Sequence, residues 1–319
     1  MKSWLEKKRK LLLPCDHFHL TFTLAHDLLP LWRYNRDHIA ALLFHAVRDT
    51  VFLLMKDPQW MGGMPGLMLN LHTWSRSLAR HPHIHALITG GGIDAEGNWR
   101  PARKHEHLIS MEVIRPIFTA KMRDALRKSL DHGRLQLPPD MTPSQVHRLI
   151  RRATKKPWVV NRKPRYEHGK GVLIYLARYI RGGPIKDRRL ISLDHETVTF
   201  RVSRRSEKER NMTLTVEEFL ERVLTHVPSP GFRVVRNYGL YHHAHREKLE
   251  SCRQQLGGEV DPECEEDVKE GCSSEADTSP EPPTESETCS VCGTPLRIRE
   301  KIPRAPPPAR LESLWERSP

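Results

Sequence analysis

Apolar and polar positions alternate with period two over three stretches of the chain, and this alternation predicts three strands. In His17-Phe18-His19-Leu20-Thr21-Phe22-Thr23-Leu24, the apolar side chains at 18, 20, 22 and 24 share one face. Leu67-Met68-Leu69-Asn70-Leu71-His72-Thr73-Trp74 reads as a second strand. The third is His81-Pro82-His83-Ile84-His85-Ala86-Leu87-Ile88-Thr89, which runs into the core and ends on Gly90-Gly91-Gly92. Elsewhere the apolar period is helical. Asp27 to about Met55 predicts two helices broken near Pro30, and further helices fall near 112–130, near 143–155 and from about Gly171 to Arg181. The last of these is stopped by Gly182-Gly183-Pro184. Thr213 opens a helix through Val227, with Thr215 and Glu218 at capping-box spacing. Met61–Gly66 reads as a loop, Asp94–Pro101 as turn-rich, Trp158–Val160 as short and extended, Ile191–Val202 as a hairpin and Phe232–Leu240 as extended. The pattern is that of an α+β fold.

Composition divides the 319 residues into unlike parts. Residues 1–13 read as the end of a basic helix, 14–245 as the folded core, and 246–319 as a disordered acidic and proline-rich tail. Net charge is +13, yet residues 259–288 carry twelve Asp/Glu against one Lys, so the remainder holds +24. Residues 100–189 alone hold 23 Lys/Arg against seven Asp/Glu. A folded region this basic points to a polyanion partner, most often nucleic acid, although a merely soluble surface has the same composition. The basic N-terminus lacks the apolar core of a signal peptide, and no apolar run approaches the ~18 residues that a membrane span needs. Six cysteines in a chain of this length do not make a disulfide framework. The expected location is the cytosol.

The third strand carries the candidate chemistry. His83 and His85 project from one face, near enough for both imidazoles to reach one divalent ion, while Ile84 faces the core. A histidine pair on a strand is also compatible with packed or solvated side chains, and two imidazoles leave an ion mostly solvated. A third ligand is therefore wanted. His72 is the first choice, because Leu67–Trp74 and the histidine strand could pair antiparallel and bring it across from the pair. His81 shares their parity but lies about 13 Å from His85 in a regular strand; His19 is the reserve. In the predicted helix Tyr175-Leu176-Ala177-Arg178-Tyr179-Ile180-Arg181, the two phenols stand one turn apart. Two tyrosines at a core margin are commonly packing residues; the chemical alternative is nucleophilic attack on a phosphodiester. Arg178 and Arg181, with Arg151, Arg152, Lys155, Lys156, Arg162 and Lys163 from the basic middle of the chain, are the candidate DNA-binding residues.

His-Pro-His-Ile-His-Ala-Leu-Ile at 81–88, the preceding Leu-His-Thr-Trp, and Tyr-Leu-Ala-Arg-Tyr some 90 residues later resemble the rolling-circle insertion-sequence transposases of the His-hydrophobic-His (HUH), two-tyrosine class. The stretches 18–28, 212–214, 231–233 and 238–240 match in the same order, so the likeness covers roughly residues 1–245. It implies an antiparallel sheet with flanking helices, as in HUH endonucleases. It also implies His83 and His85 as metal ligands with a third residue nearby, and Mg²⁺ or Mn²⁺ as cofactor. Tyr175 and Tyr179 would then be nucleophiles that nick single-stranded DNA through 5′-phosphotyrosine bonds, transferring the strand from a free 3′-OH. Members of the family usually carry a cysteine-rich zinc-binding module ahead of the segment matching Trp4-Leu5-Glu6; this sequence starts at that point and keeps only Cys15. Near its end, Cys289 and Cys292 form a single C-x-x-C, two of the four ligands a structural Zn²⁺ needs. A relaxase or replication initiator shares the histidine pair and a tyrosine, and a non-catalytic nucleic-acid-binding remnant shares the charge. The tyrosine spacing and the 231–240 segment favour the transposase.

Overall fold

The computed structural model describes residues 12–104, 107–166, 183–203, 208 and 210–257. Nine strands and six α-helices lie among the described residues. In chain order they are β1 (His17–Thr23), α1 (Leu29–Tyr34), α2 (Arg36–Met55), β2 (Met64–Trp74), β3 (Arg80–Ile93), β4 (Trp99–Pro101), α3 (Met111–Asp131), α4 (Pro143–Ala153), β5 (Val160–Arg162), β6 (Leu190–Leu193), β7 (Thr197–Arg201), β8 (Asn211–Thr215), α5 (Val216–Leu224), β9 (Val235–Gly239) and α6 (Arg246–Gln255). The main sheet has the order β5-β1-β3-β2-β9, with β4 added to one end of β3, and all its pairings are antiparallel. The fold is therefore α+β, an antiparallel sheet with flanking helices.

Parity along the central strands separates the two faces of this sheet. Phe18, Leu20 and Phe22 of β1, Ile84, Ala86 and Ile88 of β3, and Leu67, Leu69 and Leu71 of β2 turn one way, into a single core with α2 and α3. Within it Phe22 meets Phe118 edge-on at 5.0 Å between ring centroids, and Phe118 meets Trp158 at 5.7 Å. α2 is a 20-residue helix long and apolar enough to cross a membrane, which the uninterrupted-run criterion missed because Arg48 and Asp49 break it. Its apolar stripe of Ile39, Leu43, Val47 and Val51 is buried in this core.

Several predicted boundaries shift. The break between the two helices falls at Asn35, not near Pro30, which sits in the first turn of α1 just after a turn of 3-10 helix at His26–Leu28. β2 begins at Met64, inside the stretch read as a loop, and its register shifts between Pro65 and Leu67. The glycine run does not end β3, because β4 packs across it. A Cβ at Gly91 would sit 2.4 Å from the Trp99 ring, and one at Gly92 2.6 Å from the Met64 carbonyl oxygen. Residues 211–215 form a strand, not the first turn of a helix, since they pair with β7. Thr215 caps α5 by accepting the Glu218 N–H at 3.1 Å. Residues 246–255, placed in the expected tail, form helix α6. α6 buries Leu249 and Cys252 against Leu13, Leu87 and Tyr241, at one end of the sheet's second face. The rest of the predicted tail, from 258, lies outside the described residues, as does the predicted helix at 171–181.

A three-stranded sheet, β6-β7-β8, forms a second small core of Phe200 and Leu214 around Leu78. Leu78 lies in the turn between β2 and β3 and has φ of 62°, a conformation costly for a branched side chain. Its burial, and clamps on the turn's carbonyls, hold it there. Arg189 donates to the Arg76 carbonyl, Arg222 to that of Ser77 at 3.2 Å, and His226 Nε2 to that of Leu78 at 2.8 Å.

Candidate active site

On the second face of the main sheet the same parity gathers imidazoles. β3 lies between β1 and β2, with His83 opposite Thr23 and His72, and His85 opposite Thr21 and Asn70. Directly opposed residues of antiparallel strands share a face. His72, His83 and His85 consequently converge, their ligand nitrogens all lying within 4.8 Å of one another, and all three are buried. His81 is not in this group, in line with its distance along the strand.

The surrounding hydrogen bonds orient the rings. His83 Nδ1–H donates to the His81 carbonyl at 2.6 Å, which leaves Nε2 as the lone-pair nitrogen. That atom lies 3.2 Å from His85 Nε2. On its other side His85 presents Nδ1 to His19 Nε2 at 2.8 Å and to the Thr21 hydroxyl at 3.3 Å. Asn70 Nδ2 stands 3.1 Å from His72 Nε2, and Trp74 stacks on His72 at 4.3 Å between ring centroids. His19, the reserve ligand, thus sits behind His85, with Tyr166 stacked on it at 5.9 Å. Burial is the main reason why His19, His83 and His85 lose basicity, with neighbouring imidazoles adding to it at His83 and His85. His83 falls to about 3 and His85 further, and His19, buried near Lys163, also falls to about 3. Neutral imidazoles with converging lone pairs are the form that binds a cation.

The histidines line a cleft of about 900 Å³. Arg162 and Lys163, both predicted to bind DNA, line it too, together with Lys186, Arg188 and Arg189, which sequence reasoning missed. The signal for these three was a basic run just beyond the Gly182-Gly183-Pro184 stop. Arg151, Arg152 and Lys155 are elsewhere, in a groove between α3 and α4. Lys156 is exposed and lines neither cleft nor groove. Tyr175, Tyr179, Arg178 and Arg181 lie outside the described residues, as do Cys289 and Cys292.

Comparison with known families adds the decisive observation. A family profile described as "Putative transposase" matches residues 66–248, more than half of the chain. The chain belongs to this transposase family. Together with the two relatives that follow, this match makes the chain an insertion-sequence transposase of the HUH class. One similar relative, "Putative transposase y4qJ" of Sinorhizobium fredii (strain NBRC 101917 / NGR234), is 33% identical over 265 residues, covering 81% of this chain and 67% of the relative. A second, "Transposase for insertion sequence element IS801" of Pseudomonas savastanoi pv. phaseolicola, is 30% identical over 243 residues, covering 74% of this chain and 57% of the relative. The chain thus spans only about two thirds and just over half of these relatives. No solved structure matches it. The matched segment contains nearly all of β2, all of β3 and the residues that clamp their turn, so membership in a DNA-processing enzyme family and the histidine cluster concern the same part of the molecule.

Proposed function

We propose that this transposase nicks single-stranded DNA with a tyrosine nucleophile and a divalent cation, and rejoins the strand to move an insertion sequence by a rolling-circle route. The supporting observation is the convergence of three buried histidines in a cleft flanked by Arg162, Lys163, Arg188 and Arg189. His72, His83 and His85 hold the cation, and the guanidinium and ammonium groups hold the phosphates on either side of the scissile bond. When bound, the cation polarises the scissile phosphate and steadies the leaving oxygen. An all-imidazole donor set favours Mn²⁺ over Mg²⁺, since Mg²⁺ prefers carboxylate and water oxygens.

Tyr175 and Tyr179 are the nucleophiles in this reading. The phenol gives up its proton to water and its oxygen attacks phosphorus. The bond from phosphorus to the 3′ oxygen breaks, and that oxygen takes up a proton to leave a free 3′-OH. A 3′-OH attacking the phosphotyrosine reverses the step and restores the phenol. A cytoplasmic location follows from the substrate.

The test is a nicking assay on single-stranded oligonucleotides from the element's ends, with Mn²⁺, Mg²⁺ or EDTA, resolved on a denaturing gel. The expected result is a metal-dependent covalent protein–DNA adduct that is lost in the Tyr175→Phe/Tyr179→Phe variant. Binding without an adduct on validated ends would mean a non-catalytic remnant.

A further inference from the structure

We infer that the groove between α3 and α4 is a second DNA surface, which holds the phosphate backbone of duplex DNA at a distance from the histidine cleft. This rests on the chain acting on DNA and is independent of the tyrosine chemistry. α3 contributes Arg123 and Arg127, one turn apart, and α4 contributes Arg148, Arg151 and Arg152, with Lys155 just beyond its end. On a helix, residues three or four apart are about 5–6 Å from each other, so each wall presents a row of cations. The groove encloses about 950 Å³, and no Asp or Glu lines it.

Two of the six cations have carboxylate neighbours: Arg123 at 2.9 Å from Asp124, and Arg152 at 3.9 Å from Asp27. Among the described residues no carboxylate pairs with Arg127, Arg148, Arg151 or Lys155. So many uncompensated like charges repel one another, and the repulsion is relieved by a polyanion.

The groove's other lining identifies the kind of polyanion. Besides the cations it offers Met141, Leu149, Gln145 and Thr154, with no aromatic ring and no histidine. Unpaired bases need ring faces to stack on, whereas a duplex has its bases stacked already and asks only for phosphate contacts. The histidine cleft is the opposite case, since Trp74 and the rings of His72 and His81 line it beside the cations. The two surfaces are also on opposite sides of the sheet. α3 buries Ile114, Phe118, Met122 and Leu126 in the core of the face opposite the histidines. One short strand lying in the cleft therefore does not fill the groove, which takes a separate part of the substrate.

The test measures anisotropy of a labelled blunt duplex and of the matching single strand, roughly 20 nucleotides long and of arbitrary sequence, against the full chain in EDTA across a salt series. Each phosphate contact contributes about 0.9 to the slope of log affinity against log salt. The Arg127→Gln/Arg148→Gln/Arg151→Gln/Lys155→Gln variant is expected to lower the duplex slope by about 3–4 and to weaken duplex binding at least about 100-fold near 0.1 M salt, while the single strand loses far less. Should that variant lose its fold, Arg151→Gln alone is expected to lower the slope by about 1. Arg162→Gln/Lys163→Gln should do the reverse, weakening the single strand and sparing the duplex. Unchanged duplex binding in the groove variant overturns the inference, and equal losses on duplex and single strand overturn the assignment to duplex. A chain that nicks nothing but loses duplex binding on the groove substitutions supports this surface and sinks the proposed function. A chain that nicks normally with duplex binding unmoved does the opposite.

Discussion

The two faces of the main sheet are made of alternate residues on the same strands, yet they obey different physics. Phe22, Ile84 and Leu71 face α2 and α3 in a packed apolar layer. Thr21, His85, His83 and His72 are their immediate chain neighbours, and they face the cleft as polar, hydrogen-bonded groups. Burial is almost as complete on the second face, so exposure does not separate them. What separates them is whether a buried position needs a partner: a packed hydrocarbon does not, and an imidazole does. One face packs hydrocarbon, and the other gathers buried groups that must be hydrogen-bonded or ligated.

The sharpest way to break this comparison is to change adjacent residues of β3. Ile84→Asp puts an unpaired carboxylate into the apolar layer and should leave no cooperative thermal transition, a loss beyond about 4 kcal/mol. His85→Ala should leave the transition within a few degrees while metal-dependent nicking falls about a thousandfold. If both variants unfolded alike, the division of roles between the faces would be wrong. A milder probe of the apolar face is Phe118→Ala, which should cost about 3–5 kcal/mol in urea unfolding and leave Mn²⁺ affinity unchanged at low temperature.

On the polar face, His19→Ala removes the group behind His85. Calorimetric Mn²⁺ affinity is expected to fall about 10–100-fold while the ligand set stays intact. The same face can be probed without metal, through the effect of pH on the protein's stability. His19 and His83 take up protons near 6.5 when unfolded but stay neutral to about 3 in the fold, chiefly through burial. The unfolded state therefore binds more protons across that range, so stability is full above about 6.5 and declines as pH falls toward 3. Urea midpoints measured in EDTA should drop between pH 7 and 5, and drop less in His83→Phe. A flat profile would mean that these histidines are not held neutral.

Much of the site was legible because strand parity is strict. Once His83 and His85 were set on one face, a neighbouring antiparallel strand had to bring a residue of matching parity across, and His72 was the histidine available. The role of His19 was not legible, since nothing in the spacing says that β1 flanks β3 in the register that sets Thr21 against His85. Nor did the glycine run announce a continuing strand, because its cause is the Trp99 ring packing across it from a later part of the chain. The basic residues show the limit most clearly. Charge alone put Arg151 and Lys163 in one class, and only the docking of α4 on α3, away from β5, assigns them to different surfaces.

The clamped turn between β2 and β3 has a consequence for the order of events at the ribosome. All three cluster histidines lie between residues 72 and 85, on one hairpin, and that hairpin is synthesised early. Arg189, Phe200, Leu214, Arg222 and His226, which hold Leu78 and its neighbours in place, emerge more than a hundred residues later. At about 5–20 residues per second, several seconds separate the two. A nascent chain therefore carries the three histidines well before it carries the residues that hold the turn of their hairpin.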